Sequence, residues 1–100
     1  MIIDQALNFV KEHRDKPFFL FLPVTIPHSE MHAPESYVAP FRKKFPQFED
    51  AIGKYKGPEV RNPIAAFAGM MTLMDDSVGQ LLGLLKQLDL DEQALVMLSS

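Results

Sequence analysis

The chain reads as an α/β protein built on a βαβ unit, with parallel strands joined by a long helix and a further helix ahead of the first strand. Three observations predict it. Residues 18–24 (Phe-Phe-Leu-Phe-Leu-Pro-Val) are apolar with no polar alternation, as in a strand covered on both faces. Asn62-Pro63 opens a stretch whose apolar residues recur at helical spacing as far as Leu88. Residues 94–99 (Ala-Leu-Val-Met-Leu-Ser) repeat the continuous apolar character of the first run. A strand, crossover helix and strand of this kind is right-handed, which turns both strand ends toward one rim of the sheet.

The first element is a helix over residues 3–13. Asp4 is its expected cap, and Ile3, Ala6, Leu7 and Val10 share one face at helical spacing. Glu12, Arg14, Asp15 and Lys16 form the polar turn that follows, and Pro17 forbids further helix. The strand at 18–24 comes next. Residues 26–61 carry five prolines (Pro27, Pro34, Pro40, Pro46, Pro58) and two glycines (Gly53, Gly57) and show no sustained period, so they read as a long loop with a short helical turn at 35–41. A helix over 63–88 then presents Ile64, Phe67, Ala68, Met71, Met74, Val78, Leu81, Leu82, Leu85 and Leu88 as its apolar face. Met70, Met71 and Met74 read as core residues. Gly79 and Gly83 read as a place where another backbone approaches closely. Residues 89–93 turn into the strand at 94–99.

In a chain of 100 residues, a 47% apolar content supports one small domain, yet two strands apolar on both faces call for neighbours. A formal charge of −3 and a pI near 5.5 argue against nucleic acid as a partner, since duplex binding needs clustered cations. The one basic run, Arg42-Lys43-Lys44, reads as a solvated loop surface and not as an anion site. No stretch approaches the ~20 apolar residues of a membrane span, and residues 1–10 do not have the basic start and long apolar core of a signal peptide. With no cysteine, the redox compartment stays open.

His28 follows the first strand, at the carboxyl rim where α/β sheets gather ligands. By its position it is a candidate catalytic residue, and an ordinary loop histidine is the alternative. His32 lies four residues on and could line the same opening, but that spacing carries no ligand geometry and nothing nearby completes a zinc site. His13 reads as a surface residue at the negative end of the first helix.

The segment KPFFLFLPVTIPHSEMHAPESY resembles the sulfatase family, and AAFAGMMTLMDDSVGQLLGLLKQLDLDEQALVMLSS is similar to a later stretch of the same family, in the same order and at plausible spacing. The resemblance implies a piece of a larger alkaline-phosphatase-like sandwich, one internal segment of a sulfatase catalytic domain spanning residues 1–100. It implies hydrolysis of a sulfate ester by a formylglycine nucleophile with calcium or magnesium. It assigns His28 to contact with the sulfate group, aligns Asp75 with the family's acidic position, and suggests an exported parent protein; His32 matches nothing fixed in the family and is a weaker substrate contact by its place in the loop alone.

The formylglycine precursor, a Cys or Ser in C/S-x-P-S-R, is not in this sequence. There is no cysteine, and none of Ser29, Ser36, Ser77, Ser99 and Ser100 is followed by x-Pro-x-Arg. The family's metal-binding Asp-Asn pair would follow Ser99-Ser100. The expectation is therefore a segment without cofactor or metal ligands of its own, inactive alone and prone to self-association through its apolar strands. Two other readings compete: a related enzyme acting on phosphate or phosphonate esters, and a non-enzymatic βαβ interaction module.

Overall fold

A computed structural model describes residues 2–24, 33–54 and 58–99. The described chain is mostly helical: α1 spans Ile2–His13, α2 Glu35–Lys44 and α3 Pro63–Gln87, with a 3-10 turn at Pro46–Phe48 and two short strands, β1 (Ile52–Gly53) and β2 (Val60–Arg61). The strands pair antiparallel, Ile52 opposite Arg61 and Gly53 opposite Val60. The chain divides into two compact units, residues 1–24 with 77–100 and residues 25–76, and α3 contributes to both.

This architecture corrects the predicted fold class. Among the described residues there is no parallel pair of strands and no βαβ unit. The segments 18–24 and 94–99 enter no ladder among the described residues; Phe18, Leu20 and Ala94 pack against the apolar centre, and most of the other residues in the two segments are exposed. Continuous apolarity signals that a segment must be buried; it does not supply the partner that a strand's N–H and C=O groups require.

In the first unit the buried centre is Val10 of α1 with Leu84 and Leu85 of α3, and Leu7, Phe18, Leu20, Leu81, Leu88, Leu90 and Ala94 pack around it. The α1 face is the predicted one: Ile3, Ala6 and Val10 are buried and Leu7 is half-buried. Asp4 lies within the first turn and not ahead of it, where its charge still suits the positive end of the helix dipole. At the other end His13 is exposed. Its Nδ1–H donates to the Phe9 carbonyl at 2.8 Å and its ring stacks on Phe9 at 4.2 Å between centroids. Phe9 also meets Phe18 edge-to-face at 5.9 Å, which ties α1 to the segment that follows.

The end of α3 is a Schellman motif. Asp89 adopts a left-handed φ of 57°. Leu90 N–H donates to Leu85 C=O at 2.8 Å and Asp89 N–H donates to Lys86 C=O at 3.1 Å. Leu90 and Leu85 both belong to the apolar centre, which supplies the hydrophobic contact the motif favours.

The second unit replaces most of the predicted loop with structure. Pro46 ends α2 just beyond Phe45. The chain then turns through the 3-10 segment into the β1–β2 ribbon. Gly53 suits this position, because a Cβ there would sit 3.0 Å from Pro63 Cβ, tighter than an ordinary contact.

In its second half α3 packs the predicted residues Leu81, Leu85 and Leu88 into the first unit's core, but in its first half it buries a different face from the one its bulkiest residues mark. Ala65, Ala66, Met70 and Leu73 are buried, as are Leu84 and Leu85, whereas Ile64, Phe67, Met71 and Leu82 are exposed. The reason lies at Gly69, where a Cβ would sit 3.0 Å from Val38 Cγ2 and 3.1 Å from the Tyr37 carbonyl oxygen. The small stripe Ala65, Ala66, Gly69 lets α2 approach closely, and that closeness selects it over the larger side chains. Gly79 and Gly83 meet nothing within 4 Å among the described residues, so close approach occurs at Gly69 instead. Of the three methionines, Met70 is buried, Met74 half-buried and Met71 exposed. No described helix is long and apolar enough to cross a membrane.

Candidate functional site

The polar chemistry of the described residues collects in the second unit, around the start of α3. Asn62 is fully buried and holds a left-handed φ of 52°. Its Oδ1 accepts from Ala65 N–H at 3.1 Å, so it caps α3 as its place before Pro63 predicts. Its Nδ2 donates to Phe45 C=O and to Glu49 Oε2, each at 3.1 Å, and its own N–H donates to Ala51 C=O at 2.8 Å. One side chain thus joins the end of α2, the 3-10 turn and the start of α3.

Glu49 also accepts from Arg42, whose Nε donates at 2.9 Å and whose Nη2 pairs with the same carboxylate; Arg42 Nη1 reaches Glu35 at 3.3 Å. The Arg42 hydrogen bond, reinforced by Asn62, holds the Glu49 carboxyl below its ordinary range. Glu49 in turn holds the Arg42 guanidinium above its own. With two carboxylates on it, Arg42 is committed to structure and is not a free cation for a sulfate. Arg42-Lys43-Lys44 is therefore not one surface: Lys43 and Lys44 are exposed, and the Lys44 ammonium lies 5.9 Å from the Phe45 ring centroid.

The second pair is Tyr37 and Asp76. The Tyr37 hydroxyl donates to the Asp76 carboxylate, and this bond, ahead of partial burial and the carboxylate's charge, raises the phenol above its usual range. Asp76 is thus engaged with α2 although it is exposed, as Asp75 is.

His28 and His32 both lie outside the described residues. Sequence reading missed Glu49 as a partner of Arg42. Its available signal was charge spacing: Glu35, Arg42 and Glu49 follow one another at intervals of seven residues with alternating sign. Among the described residues no group of three His, Cys, Asp or Glu side chains could hold a metal ion. Nor does the sequence contain a serine or cysteine in the formylglycine context. The described residues therefore do not fit either group, and no chemical step is derived through them.

The family model described as Sulfatase matches residues 1–100. The chain belongs to the sulfatase family, a family of hydrolases. No curated protein and no solved structure matches it.

Proposed function

We propose that the chain is one segment of the catalytic domain of an enzyme that hydrolyses sulfate esters, and that His28 is the residue it contributes to the reacting sulfate. The family match over residues 1–100 carries this reading. It is supported by the position of His28 after the apolar segment in the stretch that resembles the family. A ring N–H of His28 directed at the ester stabilises the charge that develops on oxygen as the S–O bond breaks. His32 borders the opening. The attacking formylglycine and a calcium or magnesium ion come from residues outside this sequence, and the parent protein is exported. The 100-residue chain by itself therefore has no nucleophile and leaves an aryl sulfate intact.

The experiment uses a protein that carries this sequence together with a C/S-x-P-S-R segment, assayed on an aryl sulfate and on the matching aryl phosphate. His28→Ala lowers kcat by about a hundredfold or more with little change in melting temperature, and His32→Ala shifts KM modestly. Near-normal kcat in His28→Ala removes the assignment, and preference for the phosphate removes the substrate class.

A further inference from the structure

Helix α2 is held at its two ends by different contacts. Its last turn belongs to the Asn62 cluster: Arg42 donates to Glu49, and the carbonyl of Phe45, the C-cap residue, accepts from Asn62. Its first turn has little of its own to fix it. Pro34 stands at the N-cap and supplies no side-chain acceptor, and Pro40 has no N–H to give to the Ser36 carbonyl four residues back. The charged link from that turn to the cluster, between Glu35 and Arg42, is exposed and 3.3 Å long, so it contributes little.

Two contacts with α3 supply what the first turn does not have. At Gly69 the helices come so close that a Cβ would stand 3.1 Å from the Tyr37 carbonyl oxygen. Seven residues on, two turns along the same side of α3, Asp76 accepts from the Tyr37 hydroxyl. Tyr37 is thus gripped by its backbone at one level of α3 and by its side chain at another, which fixes the direction of α2 as well as its distance. Its N–H donates to the Pro34 carbonyl at 2.9 Å and so carries that grip to the residue where the chain enters the helix. In sequence, His32 adjoins Ala33, and His28 lies four residues earlier.

We infer that Tyr37 is a positioning residue: its hydroxyl, held by Asp76, fixes the first turn of α2 and with it the point to which the stretch carrying His28 and His32 is joined. This rests on the reading of His28 as the residue that meets the sulfate. A phenyl ring of the same bulk would set the distance between the helices but not their register, because only the hydroxyl's bond has a direction. Tyr37 itself touches no reacting atom, so its loss costs alignment at His28 and not a chemical group.

The test uses the same protein, one that carries this sequence with a C/S-x-P-S-R segment, and reads kcat, KM and melting temperature on an aryl sulfate. Tyr37→Phe and Asp76→Ala each lower kcat by about fivefold with KM changed by less than about twofold. The double variant loses no more than either alone, since both remove one bond. Asp76→Asn keeps a carbonyl oxygen for the hydroxyl and recovers most of the rate. In a His28→Ala background Tyr37→Phe lowers kcat no further, which a merely structural role would not produce. Val10→Ala, which thins the core of the other unit, lowers the melting temperature and leaves kcat as it was. Near-normal kcat in Tyr37→Phe beside an impaired His28→Ala overturns the inference alone. So do additive losses at Tyr37 and Asp76, an undiminished effect of Tyr37→Phe without His28, and a rate loss that Val10→Ala reproduces at an equal drop in melting temperature. Near-normal kcat in His28→Ala removes the reading beneath the inference, and the inference with it.

Discussion

The surroundings of Asn62 and the surroundings of Val10 are both buried, and they are held by different physics. Around Asn62 every contact has a direction: one amide caps α3, donates to Phe45 and donates to Glu49, and Arg42 completes the carboxylate. No described side-chain nitrogen or oxygen is left buried without a partner. Around Val10, Leu84 and Leu85 the contacts have area but no direction, and the segments that lean on them leave their other residues exposed. Directional bonds specify one arrangement and close it off. An apolar contact specifies only that water be excluded, and goes on recruiting surface until none is left.

The sharpest way to break that comparison is Asn62→Ala. It removes the cap, takes the side-chain donor from the Phe45 carbonyl and one of the two donors from Glu49 Oε2, and puts a Cβ residue with no polar side chain at a left-handed φ. Together these destabilise the chain by about 4 kcal/mol. Urea unfolding followed by circular dichroism measures it, and Asn62→Gly separates the backbone part by relieving φ while losing the same bonds. A loss below about 1 kcal/mol would mean that only the cap contributes. In the apolar unit, Leu84→Ala should cost about 3 kcal/mol through lost burial and the cavity it leaves. Phe19→Ala, at an exposed position, should change the chain's stability by less than about 0.5 kcal/mol. If the two apolar variants cost the same, Phe19 is covered in solution.

A smaller effect is expected at Asp89, where the Schellman turn needs a left-handed residue. Asp89→Val should destabilise by about 1–2 kcal/mol, because a β-branched side chain crowds the carbonyl at positive φ, whereas Asp, like Asn, tolerates it through its short, locally hydrogen-bonding side chain. Asp89→Asn should be nearly silent in the same unfolding measurement.

How much of this was legible in the sequence follows the range of each interaction. The Asn62-Pro63 start of α3 and the buried face of α1 were readable, since capping and helical spacing are decided within a few residues. The α2 helix was half readable: a turn at 35–41 is apparent, but its run to Lys44 passes through Pro40, against local propensity. The face of the first half of α3 was not readable from bulk, because α2 sets it by close approach at Gly69, whereas Leu81, Leu85 and Leu88 were readable from their spacing. The segments 18–24 and 94–99 were misread as strands for the same reason, since a ladder partner is a fact about another part of the chain. Of the candidate site, the histidines lie on residues that are not described, and the Tyr37–Asp76 pair joins residues too far apart in sequence for local spacing to connect.

The finest test of the comparison is pH, because acid acts on the directional cluster and leaves the apolar one untouched. Glu49 is held below the ordinary carboxylate range by Arg42 first and Asn62 second, so it binds its proton more weakly folded than unfolded. A depressed folded pKa contributes stability that is present above the unfolded value and is lost as pH falls through the folded one. The Arg42 shift has no bearing in this window, since its guanidinium stays charged throughout. The contribution is modest because both side chains are partly solvated, at 34% and 31% exposure. Melting temperatures of the wild type and Glu49→Gln should therefore differ most near neutral pH and converge as the solution is acidified below the carboxylate range, while Leu84→Ala stays offset from wild type by a constant amount. A Glu49→Gln difference that persists unchanged into strong acid would mean the carboxylate's charge is idle and that Asn62 alone holds the cluster.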